Sequence, residues 1–128
     1  MDKKILVGID LEEGKKVLEE LDKSGLEVTS AFWFYLAEVE EWRLMLAMPS
    51  IDIQGRKKTY AKIWGVLDRN RSTLNIPLDA ITLISPKHEL NQLLRSVVKT
   101  GKSMSGIRFS GDVINGTLIE DAYIYRVN

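Results

Sequence analysis

The dipeptide Asn115-Gly116 constrains the fold more than any other feature of this sequence, because two runs rich in strand-forming residues flank it. Asparagine and glycine both tolerate the positive φ that a tight two-residue hairpin turn requires. Residues 106–127 are therefore predicted to form a β-hairpin in which Arg108 faces Tyr123 and Ser110 faces Asp121. A lone hairpin is marginal in water, so it must join a larger sheet.

This register gives the two faces of the hairpin different chemistry, since side chains alternate along a strand. The apolar face is predicted to be core and holds Ile107, Phe109, Val113, Leu118, Ala122 and Ile124. The other face is polar and aromatic and holds Arg108, Ser110, Asp112, Asp121, Tyr123 and Tyr125. Such a face can bind a small polar ligand, stack on a base or join a partner chain. The alternative is a solvent face on which Arg108 pairs with Asp121.

Hydrophobic periodicity and turn residues place the other elements. They are a helix over 10–24, a hairpin over 26–49, a helix over 55–69, a loop over 70–79, a strand over 80–85 and a third helix after that strand. The second helix has Tyr60, Ile63, Trp64 and Leu67 on its apolar stripe. Ser85 caps the third helix and Gly101 stops it, and its apolar residues are Leu90, Leu93, Leu94 and Val97. Residues 3–9 fit either an extension of the first helix or a short buried strand, with the helix favoured.

The resulting order is α-β-β-α-β-α-β-β, which predicts an α+β protein. We expect one mixed five-stranded sheet with helices mainly on one face. The length of 128 residues fits a single domain over residues 1–128, and no linker or internal repeat interrupts it.

The first hairpin extends the polar and aromatic face if Trp33, Tyr35 and Arg43 lie on the same side of the sheet. Both faces of this hairpin carry apolar groups, which need cover. A second subunit could provide that cover, so the sequence favours a self-associating protein, most simply a homodimer.

Charge is balanced overall, with 18 basic and 18 acidic residues, but it is uneven along the chain. Residues 55–108 are basic, whereas residues 1–54 are acidic. A basic segment can bind nucleic acid through Arg56, Lys57, Lys58, Arg69 and Arg71. Mutual neutralisation within the fold is the favoured interpretation, because the whole chain lacks the basic character of a nucleic-acid binder.

Catalytic chemistry has few candidate residues in this sequence. Cysteine is absent and histidine occurs once, as His88, which excludes thiolate nucleophiles and sites that need two histidines. Thr100-Gly101-Lys102-Ser103 lacks the preceding glycine of a phosphate-binding loop, and the strand and helix lie on the wrong sides of it. A metal-dependent hydrolase or nuclease would have to use Asp112, Glu120 or Asp121 with Arg108. We therefore expect no cofactor, no resident metal and no membrane span.

Three segments, VTSAFWFY, EEWRLMLAMP and SGIRFSGDVINGTLIEDAYIYRV, resemble a group of small, stand-alone prokaryotic proteins of unassigned function. The resemblance implies a free-standing cytoplasmic α+β protein and no activity that can be carried to a residue. The absence of cysteine also fits a reducing compartment. The sequence thus favours a non-catalytic binding or interaction domain, with a nucleic-acid-associated protein and a metal-dependent hydrolase as alternatives.

Overall fold

A computed structural model describes Leu6 and residues 8–128. Within these residues the helices are α1 (Gly8–Lys23), α2 (Ser50–Gln54), α3 (Arg56–Arg69) and α4 (Glu89–Arg95). The strands are β1 (Ser30–Leu36), β2 (Glu41–Ala47), β3 (Ile81–Ile84), β4 (Ile107–Ile114) and β5 (Thr117–Val127), and a short 3-10 turn, Leu78–Ala80, precedes β3. The predicted α+β class and order of elements are confirmed, with α2 as an addition.

The five strands in the described part of the chain form one mixed sheet in the order β3-β2-β1-β5-β4. Strands β2 and β3 run parallel, and the other neighbours run antiparallel. The parallel pair is joined by α2 and α3, because parallel neighbours need a crossover that returns the chain to the same end. Strand β1 pairs with both β2 and β5, so the N-terminal and C-terminal hairpins meet at the centre of the sheet.

Apolar clusters cover both faces of the sheet. Helices α1 and α3 pack on one face through Val17, Leu18, Leu21, Ile63 and Leu67, which are fully buried. Helix α4 packs on the other face and contributes Leu94. Helices therefore lie mainly on one face, as predicted, while the face under α4 is covered by a single helix of seven residues. The apolar groups on both sides of β1 and β2 find most of their cover within this chain.

The C-terminal hairpin has the predicted turn and register. Asn115 has φ 47° and Gly116 has φ 81°, as a two-residue hairpin turn requires. Ile114 faces Thr117, and Arg108 faces Tyr123. The register of the β4–β5 hairpin is therefore set by its turn residues, Asn115 and Gly116, which can be recognised in the sequence.

The predicted core face of this hairpin is wrong at its tip. Val113 and Leu118 are 67% and 60% exposed, whereas Ile114 and Ile119 are buried. The ladder leaves out Gly111, whose φ is 71°, so the alternation of faces inverts at that point without a change in register. The hairpin tip thus buries the two isoleucines and exposes the two residues predicted as core.

Three further predictions are corrected by the helices. Trp64, predicted to lie on the buried stripe of α3, is 46% exposed, and Val66 is buried instead. Helix α4 ends at Arg95 rather than near Gly101, which leaves Val97 54% exposed. The N-cap of α4 is His88, whose Nδ1 accepts a hydrogen bond from the Leu90 N–H at 3.1 Å, because residues 85–88 form a separate turn.

Two further predictions concern residues 3–9 and the start of the helix over 55–69. Residues 3–5 and 7 lie outside the described residues, while Gly8 and Ile9 belong to α1, so the choice between helix and strand is open for most of 3–9. Gly55, at φ 89°, separates α2 from α3. The predicted helix over 55–69 corresponds to α3, and α2 is an additional helix before it.

Strand β4 is an edge of the sheet, and its exposed side is partly blocked. The Ser110 backbone N–H donates to the Asp112 carboxylate at 2.9 Å, and Gly111 interrupts the regular strand. An edge with a capped N–H group and an irregularity is a poorer template for pairing with another strand. Contacts with another copy of the chain are therefore better sought on a face of the sheet.

Candidate functional site

The structure brings six of the seven predicted binding residues onto the α1 side of the sheet. Cross-strand neighbours share a face, and Trp33 faces Tyr123, which in turn faces Arg108. Tyr125, Tyr35 and Asp121 lie on the same side and are 2%, 4% and 3% exposed. Several of these side chains make hydrogen bonds or ion pairs within the protein.

Arg108 and Asp121 form a two-pronged ion pair. Arg108 Nε donates to Asp121 Oδ1 at 2.5 Å, and Nη2 donates to Oδ2 at 2.8 Å. The hydrogen bond from Arg108 to Asp121 raises the pKa of the guanidinium against the opposing effect of burial. The Asp121 side chain is only 4% exposed, whereas that of Arg108 is 44% exposed. Arg108 therefore neutralises a buried carboxylate and leaves part of its own surface in solvent.

Tyr125 connects the sheet to α1 through two buried hydrogen bonds. Its hydroxyl accepts from Trp33 Nε1 at 2.9 Å and donates to the Leu11 carbonyl oxygen at 2.6 Å. Gly14 follows one turn later in α1, and a Cβ built there would lie 2.4 Å from the Tyr125 hydroxyl oxygen. The helix approaches the sheet this closely because residue 14 has no side chain.

Burial gives the Tyr125 hydroxyl a distinct pH dependence. Burial raises the pKa of this phenol above its ordinary value of 10.0, although the hydrogen bond from Trp33 opposes the rise. Above about pH 10 the unfolded chain releases this proton and the folded chain keeps it, so stability falls as pH rises, by at most about 1.4 kcal/mol per pH unit.

Denaturant unfolding of the wild type and Tyr125→Phe between pH 9 and 11 measures the contribution of this phenol to the loss of stability. We expect the wild type to lose stability more steeply than the variant over this range, since the variant lacks the phenol. Parallel curves for the two proteins would show that Tyr125 ionises equally in the folded and unfolded states.

Trp42 lies between Tyr35 and Arg108. The rings of Tyr35 and Trp42 are 5.4 Å apart, and the guanidinium carbon of Arg108 lies 5.6 Å from the Trp42 ring centre. An arginine at this distance from an indole ring makes a favourable cation–π contact. The aromatic surface of the sheet therefore already attracts one cation of the protein itself.

Arg43 does not share the face with the other six residues. It faces Phe34 across the strands, and Phe34 packs into the cluster under α4. Its guanidinium instead bonds the Asp79 carbonyl oxygen at 2.8 Å and the Glu41 carboxylate at 2.7 Å. Arg43 thus joins the start of β2 to the 3-10 turn.

A cleft of about 570 Å³ opens beside this aromatic surface, and we call it the tryptophan cleft. Its lining residues are Leu6, Asp10, Glu13, Trp33, Glu41, Trp42, Arg43, Asn75, Ile76, Pro77, Asp79 and Ala80. Helix α1, the loop over 75–77, the 3-10 turn and the start of β2 contribute to this lining, together with Trp33 of β1. A cleft of this size with aromatic groups and a few polar ones is typical of small-molecule sites.

The tryptophan cleft is acidic. Among the described residues, its lining contains the carboxylates of Asp10, Glu13, Glu41 and Asp79 and one basic group, the guanidinium of Arg43. Arg43 is paired with Glu41, and Glu13 accepts a hydrogen bond from the Asn75 N–H at 3.1 Å. Among the described residues, the Asp79 carboxylate makes no hydrogen bond or ion pair, and Asp79 is exposed. The electrostatic potential of such a cleft favours a cation.

The five basic residues of the nucleic-acid alternative do not form one cluster. Arg56, Lys57 and Lys58 lie in the first turn of α3, and Arg69 lies in its last turn. The 14 residues of this helix span about 20 Å. Arg56 donates to the Leu83 carbonyl oxygen, while Arg71 donates to the Ile76 carbonyl oxygen and lies 5.1 Å from the Trp64 ring.

Leu6 and residues 8–128 contain neither a metal-binding cluster nor a membrane-spanning helix. No group of three or more His, Cys, Asp or Glu residues there could hold a metal ion. Glu120 is exposed, and the neighbouring Asp121 is buried against Arg108, so the two carboxylates do not converge. No helix in this part of the chain is long and apolar enough to cross a bilayer.

Sequence reasoning missed the carboxylates that line the tryptophan cleft. Asp10 and Glu13 lie three residues apart, a spacing that places them on one side of a helix, but the sequence does not show that this side meets residues 75–80. The sequence places Asp79 in the loop over 70–79 and indicates no role for it. Only the contacts between α1, β2 and the 3-10 turn reveal that these carboxylates share a site.

Comparison with protein-family models, with curated proteins and with solved structures finds no match to this chain. The geometry of the tryptophan cleft is therefore the basis for a functional proposal.

Proposed function

We propose that this protein is a small non-catalytic binding domain and that the tryptophan cleft holds an organic cation. The observation that carries the proposal is the convergence of two indole rings and four carboxylates on one cleft, in which the one basic residue among the described lining, Arg43, is already paired with Glu41. We also propose that residues 1–128 form one domain that acts in the cytoplasm. This placement rests on the lack of cysteine.

The chemistry of the cleft selects its ligand in two ways. Carboxylates attract and hydrogen-bond an ammonium or guanidinium group, and these charge-assisted bonds are the stronger kind. Indole faces attract the same groups and also cover the apolar part of a ligand. Leu6, Ile76 and Ala80 add apolar lining, which favours an amine that carries carbon over a bare inorganic ion.

Isothermal titration calorimetry tests the proposal with n-butylamine, tetramethylammonium and 1,4-diaminobutane as cations, and with 1-butanol and butyrate as neutral and anionic references. We expect at least one of the cations to bind, butanol and butyrate to fail, and added salt to weaken binding because a partly exposed ion pair is screened. Binding of butyrate as tightly as of the cations, or binding of none of the three cations, contradicts the proposal.

Asp79→Asn is the matched variant for this site. Loss of one carboxylate is expected to weaken cation binding roughly fivefold, which corresponds to about 1 kcal/mol. Asp68→Asn removes a carboxylate from the exposed side of α3, outside the cleft, and should leave affinity unchanged. Equal weakening by both variants would indicate a general charge effect.

A second candidate function is self-association through the face under α4. An apolar groove of about 700 Å³ there is lined in part by Phe34, Leu36, Met45, Leu90 and Leu93. It shares Phe34 and Leu36 with a smaller pocket at the hairpin tips, where Leu118 and Val39 are exposed. We propose that a second copy of the chain covers this surface, since a two-fold contact would bury both copies of it at once.

Light scattering across a dilution series tests self-association. We expect a dimer in the wild type and dissociation in Leu118→Lys, because a charge within the contact would be desolvated. Ile53→Lys, a change at a 78% exposed position on α2, should leave the dimer intact. A monomer at every concentration contradicts this candidate.

Two other functions have weaker support. A nucleic-acid-associated role through the basic residues of α3 requires binding that falls steeply with salt. A metal-dependent hydrolase requires a response to Mg²⁺ or Mn²⁺ at Asp112, Glu120 or Asp121. The separation of the first set and the lack of convergence in the second favour the tryptophan cleft over both.

A further inference from the structure

Strand β3 forms one edge of the sheet, because β2 pairs with one side of it and no strand of the described chain pairs with the other side. The Ile84 carbonyl oxygen accepts from the Met48 N–H, directly after β2. Backbone groups alternate in direction along a paired strand, so those of Thr82 and Ile84 point towards β2. The N–H and C=O groups of Ile81 and Leu83 therefore point outwards, and we call these four groups the β3 edge. An open edge of this kind is a template for pairing with a further strand.

The sequence of β3 carries none of the usual protection of a sheet edge. Edge strands are commonly blunted by lysine, by proline or by a bulge. Residues 80–85, AITLIS, contain no charged residue and no proline, and the register of β3 with β2 is regular. Short apolar segments that are rich in β-branched residues and lack charge and proline are typical of segments that pair between chains. Protection of this edge must therefore come from another element.

All four groups of the β3 edge are hydrogen-bonded within the chain. The Tyr60 hydroxyl, from α3, donates to the Ile81 carbonyl oxygen at 3.3 Å and accepts from the Leu83 N–H at 3.1 Å. The guanidinium of Arg56, one turn earlier in α3, donates to the Leu83 carbonyl oxygen. The Ile81 N–H donates to the Leu78 carbonyl oxygen of the 3-10 turn. These bonds take the place of those that a neighbouring strand would make.

We propose that Tyr60 and Arg56 block the β3 edge, so that α3 prevents a second copy of the chain from pairing with it strand to strand. The two side chains act together because they lie four residues apart on one helix. The Tyr60 ring packs against the core, which fixes its hydroxyl at the edge. The occupant that is kept out is a second copy, since every copy carries the same edge and two such edges can pair about a two-fold axis. The proposal is independent of the tryptophan cleft, whose lining includes neither side chain.

Amide hydrogen exchange, measured by NMR at low protein concentration, tests whether Tyr60 covers the edge. Tyr60→Phe keeps the ring and removes the hydroxyl, so the Leu83 N–H loses its acceptor. We expect exchange of this amide to become roughly tenfold faster, while the Thr82 N–H, which points towards β2, changes little. Unchanged exchange at Leu83 overturns the proposal, because the hydroxyl then does not protect the edge.

Light scattering across a dilution series tests whether the uncovered edge pairs. The variants are made in the Leu118→Lys background, which is designed to remove contacts through the face under α4. We expect the combination of Tyr60→Phe and Arg56→Met to form assemblies whose mean mass rises with concentration. Lys57→Met is the matched control, because it removes the charge of the neighbouring exposed residue of α3. This control should keep the mass of the background protein.

The other outcomes contradict the proposal. A combined variant that keeps the background mass at every concentration overturns it, since the uncovered edge then does not pair. Equal association of Lys57→Met also overturns it, because loss of positive charge would then be the cause. If the combined variant does not fold, Tyr60→Phe alone gives the same test, since two of the four edge groups then lack their partner. A mass that stays constant in that variant overturns the proposal, and a mass that rises with concentration supports it.

Discussion

Replacement of Gly14 by alanine is expected to destabilise the protein by about 3 kcal/mol, although alanine is the better helix former by about 1 kcal/mol. A Cβ at this position would lie 2.4 Å from the Tyr125 hydroxyl oxygen and 2.7 Å from Trp33 Nε1. Neither ring can move away cheaply, because both are buried and joined by a hydrogen bond. The clash therefore either displaces α1 or breaks the bonds of Tyr125, and a buried polar group without a partner costs roughly 1–3 kcal/mol.

Gly65→Ala is the matched control, since Gly65 lies inside α3 and its added Cβ would meet only the end of Arg69, at 3.6 Å. We expect this variant to gain up to about 1 kcal/mol from helix propensity. Urea unfolding of both variants measures the contrast. A Gly14→Ala protein as stable as the wild type would show that α1 does not approach Tyr125 as closely as described.

Arg108→Met is expected to cost about 3 kcal/mol, because it removes the guanidinium that pairs with the buried carboxylate of Asp121. The Asp121 side chain is 4% exposed, so water cannot replace the two lost hydrogen bonds. Methionine retains much of the arginine stem and its contact with neighbouring apolar groups. The loss of stability should therefore come mainly from the removed charge and only to a small extent from lost packing.

The double variant Arg108→Met, Asp121→Asn separates the two causes. Asparagine at position 121 removes the buried negative charge and keeps the shape of the side chain. The double variant should therefore recover at least half of the lost stability. Denaturant unfolding of the single and double variants gives the coupling. A double variant less stable than Arg108→Met would contradict the assignment of Arg108 as the counter-charge of a buried carboxylate.

Local turn chemistry explains why part of the fold was predictable. Asn115-Gly116 fixes the register of the C-terminal hairpin without help from distant residues, and the pairing of Arg108 with Asp121 follows from it. The inversion at Gly111 was not predictable, because the sequence does not show that the hairpin tip bends to bury Ile114 and Ile119. The exposure of Trp64 is a similar case, since helix periodicity does not state how wide the buried stripe of α3 is.

Part of the candidate site could also be predicted from the sequence, and part of it could not. Strand alternation places Trp33 and Tyr35 on one side of β1, and Tyr123 and Tyr125 on one side of β5. That the two sets share a face follows only from the pairing of β1 with β5, which the sequence did not predict. The cleft itself could not be predicted, because its walls come from residues far apart in the sequence that meet only after α1 and the 3-10 turn pack on the sheet. Asp10, Glu13 and Asp79 look like ordinary solvated acids until that packing is known.

The three tryptophan side chains offer the most direct test of the cation-binding cleft. Trp33 and Trp42 line it, whereas Trp64 lies on α3 beside Arg71 and outside the cleft lining. Two-dimensional NMR of the indole N–H groups during titration with 1,4-diaminobutane should shift the signals of Trp33 and Trp42 in a saturable manner and leave that of Trp64 in place. No saturable shift of any indole signal, or a shift of Trp64 alone, would contradict binding in the tryptophan cleft.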